Sequence, residues 1–326
     1  MALDVASIDS CHSSDLPYRA FREKYLRTGR PVVIREAARG WPASVKWTPE
    51  YFRDRFGDRQ VRVSYKQEMS FRQFIDGVAA STEEQPGPYM YRLFLHEDLP
   101  EALPDLIPQN PYTFPGRLAS PLMLEYWRRP DGYLKLLIGG AGGGFPVLHF
   151  DNENVHATVT EVYGVKDFVM FPPESGRFLY PDPEIPNQSR IPDPLGVDLK
   201  EFPEFRQAKP LVARLWPGDM IFIPCKWWHT ARVVTTSISI GTNIVERSNW
   251  SGFVRETARR REGVRYGLYI AFATVLGALL RVLEDLQELA PGLSSALSFP
   301  ARVAPATGSS LPDPSARPLE ISRRTR

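Results

Sequence analysis

Two histidines and an aspartate carry the chemistry most legible in this sequence. They are His149 and Asp151, separated by Phe150, and His229, 78 positions after the aspartate. In an extended strand, residues i and i+2 project from the same face. His149 and Asp151 can therefore offer an imidazole nitrogen and a carboxylate oxygen to one metal ion. His229 follows the apolar run Ile221-Phe-Ile-Pro-Cys-Lys-Trp-Trp, in an expected turn before a long strand. It supplies a third ligand if the two strands are neighbours. Two imidazoles and one carboxylate on one face of an octahedron leave positions open, the arrangement that suits non-haem Fe(II) oxygenase chemistry. A His-x-Asp pair alone is more often ordinary strand surface, so the surrounding elements have to decide.

Those elements read as mainly β with flanking helices. Strands are expected at Leu134–Gly139, around His149, over 158–171, at 220–223 and over 232–245. In the last strand Val234, Thr236, Ile238, Ile240 and Ile244 share one face, and Ser237, Ser239, Gly241 and Asn243 share the other. One apolar and one small or polar face suits a barrel whose lumen holds a ligand. Upstream, Thr48-Pro opens a helix with an N-cap and a first-position proline, and Gly57 closes it. Ser70 caps a second helix, and Pro31–Arg35, Gln60–Tyr65 and Tyr89–Leu95 read as strands. The glycine run 139–144 lacks the Gly-Lys-Ser/Thr ending of a phosphate loop and no helix follows, so it is expected to be a flexible loop. A long, mobile proline-rich loop is expected over Pro172–Pro210. The chain divides into a catalytic unit at 1–250, a helical segment at 251–299 and a tail at 300–326. The tail is rich in Pro, Ala, Ser and Arg, has no periodicity, and is expected to be disordered.

Composition narrows the partners. A formal charge of +2 over 326 residues gives no argument for nucleic acid, and no basic–aromatic pattern does either. Cys11 and Cys225 are the only cysteines, too few for the disulfide framework of a secreted protein. No basic and apolar leader opens the chain, so a cytoplasmic location is expected. The apolar run Tyr266–Leu280 falls short of the 18 or more residues of a transmembrane span. Leu268, Phe272, Val275, Leu279, Val282 and Leu286 recur at steps of four and three, a helical stripe expected to pack or to form a homodimer, with membrane-surface association as the alternative.

Over residues 16–250 the chain resembles the JmjC/cupin-like hydroxylases, within them the branch of the hypoxia-inducible-factor asparaginyl hydroxylase. The resemblance rests on an ordered series of matches. The N-terminal ones are Gly29-Arg-Pro-Val-Val-Ile, Trp41-Pro, Trp47-Thr-Pro-Glu-Tyr-Phe and Phe56-Gly-Asp. The core adds Leu136-Leu-Ile-Gly, His149-Phe-Asp, Tyr163-Gly-Val-Lys-Asp-Phe-Val-Met-Phe-Pro-Pro, Trp216-Pro-Gly-Asp, Trp227-Trp-His-Thr and Ile240-Gly-Thr-Asn. It implies a double-stranded β-helix, a jelly-roll barrel of the cupin kind. It implies Fe(II) at His149, Asp151 and His229, with O2 as oxidant and 2-oxoglutarate as cosubstrate. Lys166 would bind the distal carboxylate of 2-oxoglutarate, with Asn243 nearby and Tyr91, in competition with Tyr89, hydrogen-bonding the same group.

The residues agree on Lys166. It shares strand parity with Val162, Phe168 and Met170, and a buried ammonium needs an anion, whether from a ligand or from the protein. Three departures blur the pocket. Pro146 stands where relatives often carry Thr or Ser, Ala157 stands where Asn is common, and the stretch from Asp151 to Lys166 is longer than usual. Asn154, Thr158 or Thr160 could substitute for the missing asparagine. His156 is read as a non-ligating histidine, and Trp227 and Trp228 as core wall. Three functions compete: hydroxylation of a protein or peptide side chain, hydroxylation of a small molecule, and non-catalytic metal binding. The intact triad together with Lys166 speaks against the third.

Overall fold

The structure is a computed structural model that describes residues 5–64, 67–107, 110–125, 127–128, 134–259 and 263–289. The tail expected at 300–326 lies outside the described residues. Among them are eleven strands: β1 (Ala6–Ser7), β2 (Ser10–His12), β3 (Val32–Arg35), β4 (Gln60–Ser64), β5 (Gln67–Ser70), β6 (Tyr89–Phe94), β7 (Lys135–Gly139), β8 (His156–Phe171), β9 (Leu211–Leu215), β10 (Met220–Ile223) and β11 (Trp228–Ile244). Nine form one continuous sheet in the order β2-β3-β10-β8-β11-β7-β6, with β9 joined to β8 and β1 to β9. β4 and β5 form a separate antiparallel pair.

The barrel is made by two long strands that turn a corner together. β8 and β11, of 16 and 17 residues, pair antiparallel from His156↔Ile244 to Phe171↔Trp228. The first half of β8 pairs with β10 and the second half with β9. Around the corner the register slips between Val233 and Ser239 of β11. Gly164 sits there at φ +81°, where a Cβ would lie 1.9 Å from the Thr236 carbonyl oxygen. Only glycine fits such a bulge.

The bulge reverses the side-chain alternation of β8. Ala157 and Val159 before it, and Phe168 and Met170 after it, belong to one buried cluster with Ile221, Ile223 and Ala231, which lines the lumen. Val162 lies in a different cluster on the outer face, with Leu136, Ile138, Ile238 and Ile240. The expected common face of Val162 and Lys166 is therefore corrected: an odd residue and an even residue face the lumen on opposite sides of Gly164.

Helices back the outer face. Pro49–Phe56 is capped by Thr48, whose hydroxyl accepts from the Tyr51 N–H at 3.2 Å. Phe71–Ala79 starts with a full capping box between Ser70 and Gln73. Their Phe52, Phe56, Phe71, Phe74, Ile75 and Val78 bury against that outer cluster. Fully burying a side chain of this size is worth about 1.5–3 kcal/mol.

Two expected loops are firmer than the sequence implied. The glycine run is close-packed, with Gly140 against the Val78 carbonyl and Ser81, and Gly144 against the Ala231 carbonyl. Pro172–Pro210 contains two 3-10 turns, Pro173–Leu179 and Pro203–Gln207. Its Leu179, Ile191, Phe202 and Phe205 are buried against Val169, Phe171 and Trp228. The segment is thus an outer wall of the barrel.

The C-terminal helix Gly263–Leu289 is longer than the apolar run suggested. It buries Tyr269, Ala273, Leu276 and Leu280 against Trp127, Trp250, Phe253 and Val254. Ion pairs Arg117–Glu284 (2.8 Å) and Arg247–Asp285 (2.8 Å) hold it to the body. By length and composition Gly263–Leu286 could cross a membrane, yet one face of it is part of this core. The stripe Leu268, Phe272, Val275, Leu279, Val282 and Leu286 lies on the other side and is exposed, Leu268 at 67% and Val275 at 70%.

Candidate metal centre

His149 sits in an extended segment and not in a regular strand. Residues 142–149 nevertheless run antiparallel beside the first half of β11. The Gly142 N–H donates to Val233 O at 2.9 Å, and the Phe145 N–H to Ala231 O at 3.1 Å. The His149 N–H donates to His229 O at 3.0 Å, and the His229 N–H returns the bond to His149 O at 2.6 Å. The two histidines are thus a hydrogen-bonded cross-strand pair, whose side chains leave the same face. On the other flank the Phe150 N–H donates to Asn187 O at 3.0 Å, and the Ser189 N–H to Leu148 O at 2.8 Å. The proline-rich segment therefore clamps the His149 backbone from its second side. His229 is the second residue of β11 and lies in the strand itself, where a turn was expected.

The rings are oriented by their Nδ1 atoms. His149 Nδ1 lies 3.1 Å from Val147 O, and His229 Nδ1 lies 3.0 Å from Trp227 O. A proton held on Nδ1 leaves Nε2 as the lone-pair donor. His229 Nε2 is 4.0 Å from Asp151 Oδ2, and one ligand atom from each of the three residues lies within 4.8 Å of the others. Phe145 stacks on the His149 ring at 4.2 Å between centroids, and Tyr91 packs on Phe145 at 5.1 Å. Burial, reinforced by His229, pushes the His149 imidazolium down to about 3. Burial opposes ionisation of Asp151, but His229, His149 and Lys135 outweigh it and hold the carboxyl below its ordinary range. Two imidazoles and a carboxylate held below its ordinary range, with their ligand atoms converging, fit a divalent cation.

Lys166 lies further along the same lumen, fully buried. It is four residues along β8 from Met170, the residue opposite His229, or roughly 13 Å at about 3.3 Å per residue. Its Nζ donates to Ser239 Oγ, lies 3.5 Å from the Tyr89 hydroxyl, and sits 3.8 Å from Glu161 Oε2. Tyr89 rather than Tyr91 therefore reaches Lys166. Tyr91 belongs to the stack behind His149. Asn243 lies half-buried opposite Ala157, on the lumen-facing side of β11 with Gly241 and Ser239.

The candidate substitutes for the missing asparagine go elsewhere. Asn154 turns to the Asn249 carbonyl, with its Nδ2 at 3.2 Å. Thr158 and Thr160 alternate with Ala157, Val159 and Glu161 and point away from the lumen. His156 is buried in β8, where its Nδ1 accepts from the Cys225 N–H at 3.0 Å; it stands apart from the triad, though in a strand and not a loop. Trp228 is core, and Trp227 donates to Gly29 O at 3.0 Å.

Glu161 and Lys135 were not singled out from sequence. The signal for Glu161 was a carboxylate inside the β-branched run Thr158-Val-Thr-Glu-Val. Lys135 stands on β7 opposite Gly241, where its Cβ fills space beside that missing side chain.

A barrel of paired long strands with an inward His/Asp/His cluster has the layout of a cupin, and the cluster could hold a metal ion. The chain belongs to the cupin-like domain family, which matches residues 18–251. Lysine-specific demethylase JMJ30 of Arabidopsis thaliana is 29% identical over 242 residues, covering 70% of this chain and 52% of that protein. Arginine-specific demethylase JMJ22 of the same plant is 28% identical over 240 residues, covering 70% of this chain and 44% of that protein. The human bifunctional peptidase and (3S)-lysyl hydroxylase JMJD7 is 26% identical over 253 residues, covering 64% and 75%. The chain thus spans about half the length of the two plant demethylases. Over this cupin-like region the chain is thus similar to two demethylases and a lysyl hydroxylase.

Proposed function

We propose that this protein is an Fe(II)- and 2-oxoglutarate-dependent dioxygenase that hydroxylates a C–H bond in an amino-acid residue of a protein or peptide. The observation that carries the reading is the cross-strand pair His149–His229 with Asp151 beside it, in one lumen with a fully buried lysine. A binding module needs no buried ammonium aimed along the same cavity as a three-ligand metal site. The activities for which these relatives are named, lysine and arginine demethylation and lysyl hydroxylation, favour a protein substrate over a free metabolite.

When bound, iron and 2-oxoglutarate supply an O2-driven oxidation at a C–H bond, with succinate and CO2 as coproducts. The protein's part is to position and to exclude water. His149 and His229 present Nε2 because their Nδ1 protons are held by Val147 and Trp227 carbonyls. Asp151 contributes the one anionic ligand. Lys166, with the Ser239 and Tyr89 hydroxyls, offers a charged end for the distal carboxylate. Asn243, on the lumen wall, would contact the same cosubstrate. Phe145 and the apolar residues of β8 and β10 keep bulk water from the reacting side.

The test is anaerobic loading with Fe(II), O2 exposure with 2-oxoglutarate and a lysine-, arginine- and asparagine-containing peptide library, and mass spectrometry. Hydroxylation adds one oxygen to a peptide. Formaldehyde release with loss of methyl from methylated peptides would move the reading to demethylation. Turnover with free amino acids but no peptide would move it to a small-molecule hydroxylase.

The exposed stripe on Gly263–Leu289 is read as the contact of a homodimer. Apolar positions at alternating steps of three and four form the seam that a second helix covers.

A further inference from the structure

The ammonium of Lys166 already has an anion. Glu161 Oε2 stands 3.8 Å from it, both side chains have no exposure, and Ser239 Oγ bridges them, 2.9 Å from the carboxylate. With both groups ionised the pair is neutral. A second carboxylate placed beside Lys166 would leave one uncompensated negative charge inside the barrel, which proteins avoid by neutralising a group. The other oxygen, Glu161 Oε1, is buried with the Ser237 hydroxyl of β11 near it, but the two do not meet in the geometry of a full hydrogen bond. A protonated carboxyl at this place becomes a donor that lacks only an acceptor. An arriving carboxylate is such an acceptor.

We propose that Glu161 belongs to the cosubstrate-binding set and works as a proton-gated donor: a dicarboxylate enters beside Lys166 only as Glu161 takes up one proton, which it then shares as an O–H hydrogen bond with the incoming carboxylate. The charge balances. Lys166 stays cationic, the ligand carboxylate replaces the Glu161 charge, and the site remains neutral. The proposal rests on the 2-oxoglutarate reading above.

The surroundings support the direction. Burial pushes the Glu161 carboxyl up, Lys166 and the serine hydroxyls oppose it, and Asp219 adds to the rise. Facing Glu161 from the packed strands are Lys166 on β8 itself and Tyr89 on β6 beside Lys166. Asp219 stands just before β10, tied to Arg35 of β3, and β11 contributes Ser237 and Ser239. Lys135 of β7 faces the triad end, where it acts on Asp151.

The experiment is anaerobic calorimetry of 2-oxoglutarate binding to the Fe(II)-loaded full-length protein, from about pH 6 to about pH 9, in buffers of different ionisation enthalpy. Wild type should take up about one proton per ligand at the alkaline end and lose affinity about tenfold per pH unit there. Glu161→Gln keeps the shape and a donor without a charge. It should bind with no proton uptake, a flat profile, and tighter than wild type at high pH. Binding by wild type without proton uptake, or an identical pH slope in both proteins, overturns the proposal. The two-buffer measurement on wild type decides alone should the variant not fold. Absence of any 2-oxoglutarate heat in both proteins, with metal still bound, overturns the cosubstrate reading itself and is distinct from a binding signal lacking a proton term.

Discussion

At the residue scale, the candidate metal site depends on backbone carbonyls as much as on the three side chains that could ligate. Val147 and Trp227 fix which nitrogen of each imidazole is free, so the site is set before any metal arrives. His149→Ala or Asp151→Ala should weaken Fe(II) or Mn(II) binding by at least about 100-fold in anaerobic calorimetry, with the circular dichroism spectrum kept. Unchanged affinity in either would place the metal elsewhere. Phe145→Ala, which removes the ring stacked on His149, should cost about tenfold in metal affinity through a looser ring. The His149–Asp151 pair was legible from i, i+2 spacing, whereas His229 joined it only through the resemblance and the expected adjacency of two strands, which the His149–His229 backbone pair shows. The partner of Lys166 was not, because its identity depends on one glycine. Counting by twos from Lys166 reaches Val162 and skips Glu161, and only the bulge at Gly164 puts Glu161 into the lumen.

At the element scale, the corner shared by β8 and β11 is the feature on which the lumen depends. It lets one strand line the metal end with Met170 and the carboxylate end with Glu161 and Lys166. Gly164→Ala places a Cβ against the Thr236 carbonyl in a left-handed conformation. It should lower stability by at least about 2 kcal/mol, read as a drop of several degrees in melting temperature and a loss of 2-oxoglutarate affinity. A neutral result would mean the bulge is not needed. Strands and capped helices were legible from alternation, from Thr48 and from Ser70. Two elements were not. The glycine run read as flexible because nothing local shows that Val78, Ser81 and Ala231 close around it. The Pro172–Pro210 segment read as a mobile loop because its apolar residues are scattered at no regular period, yet Leu179 and Phe205 are fully buried.

At the scale of the whole molecule, the C-terminal helix has two apolar faces with different fates. One packs on Trp250 and Phe253, held by Arg117 and Arg247; the other is uncovered. The stripe was readable in the sequence, but which of two stripes meets the body was not, since both have helical spacing. Light scattering after size exclusion should give a dimer, and Leu268→Lys with Val275→Lys a monomer that keeps its metal. A wild-type monomer that floats with liposomes would assign the stripe to a membrane surface instead.

Turnover of 2-oxoglutarate can be followed without knowing the substrate. Fe(II)-loaded protein is given 2-oxoglutarate and O2, and succinate is followed in wild type and in His149→Ala. Wild type should form succinate slowly and the variant none. Wild type that forms no succinate and binds no 2-oxoglutarate, or a variant that forms it equally fast, would contradict the oxygenase reading of this barrel.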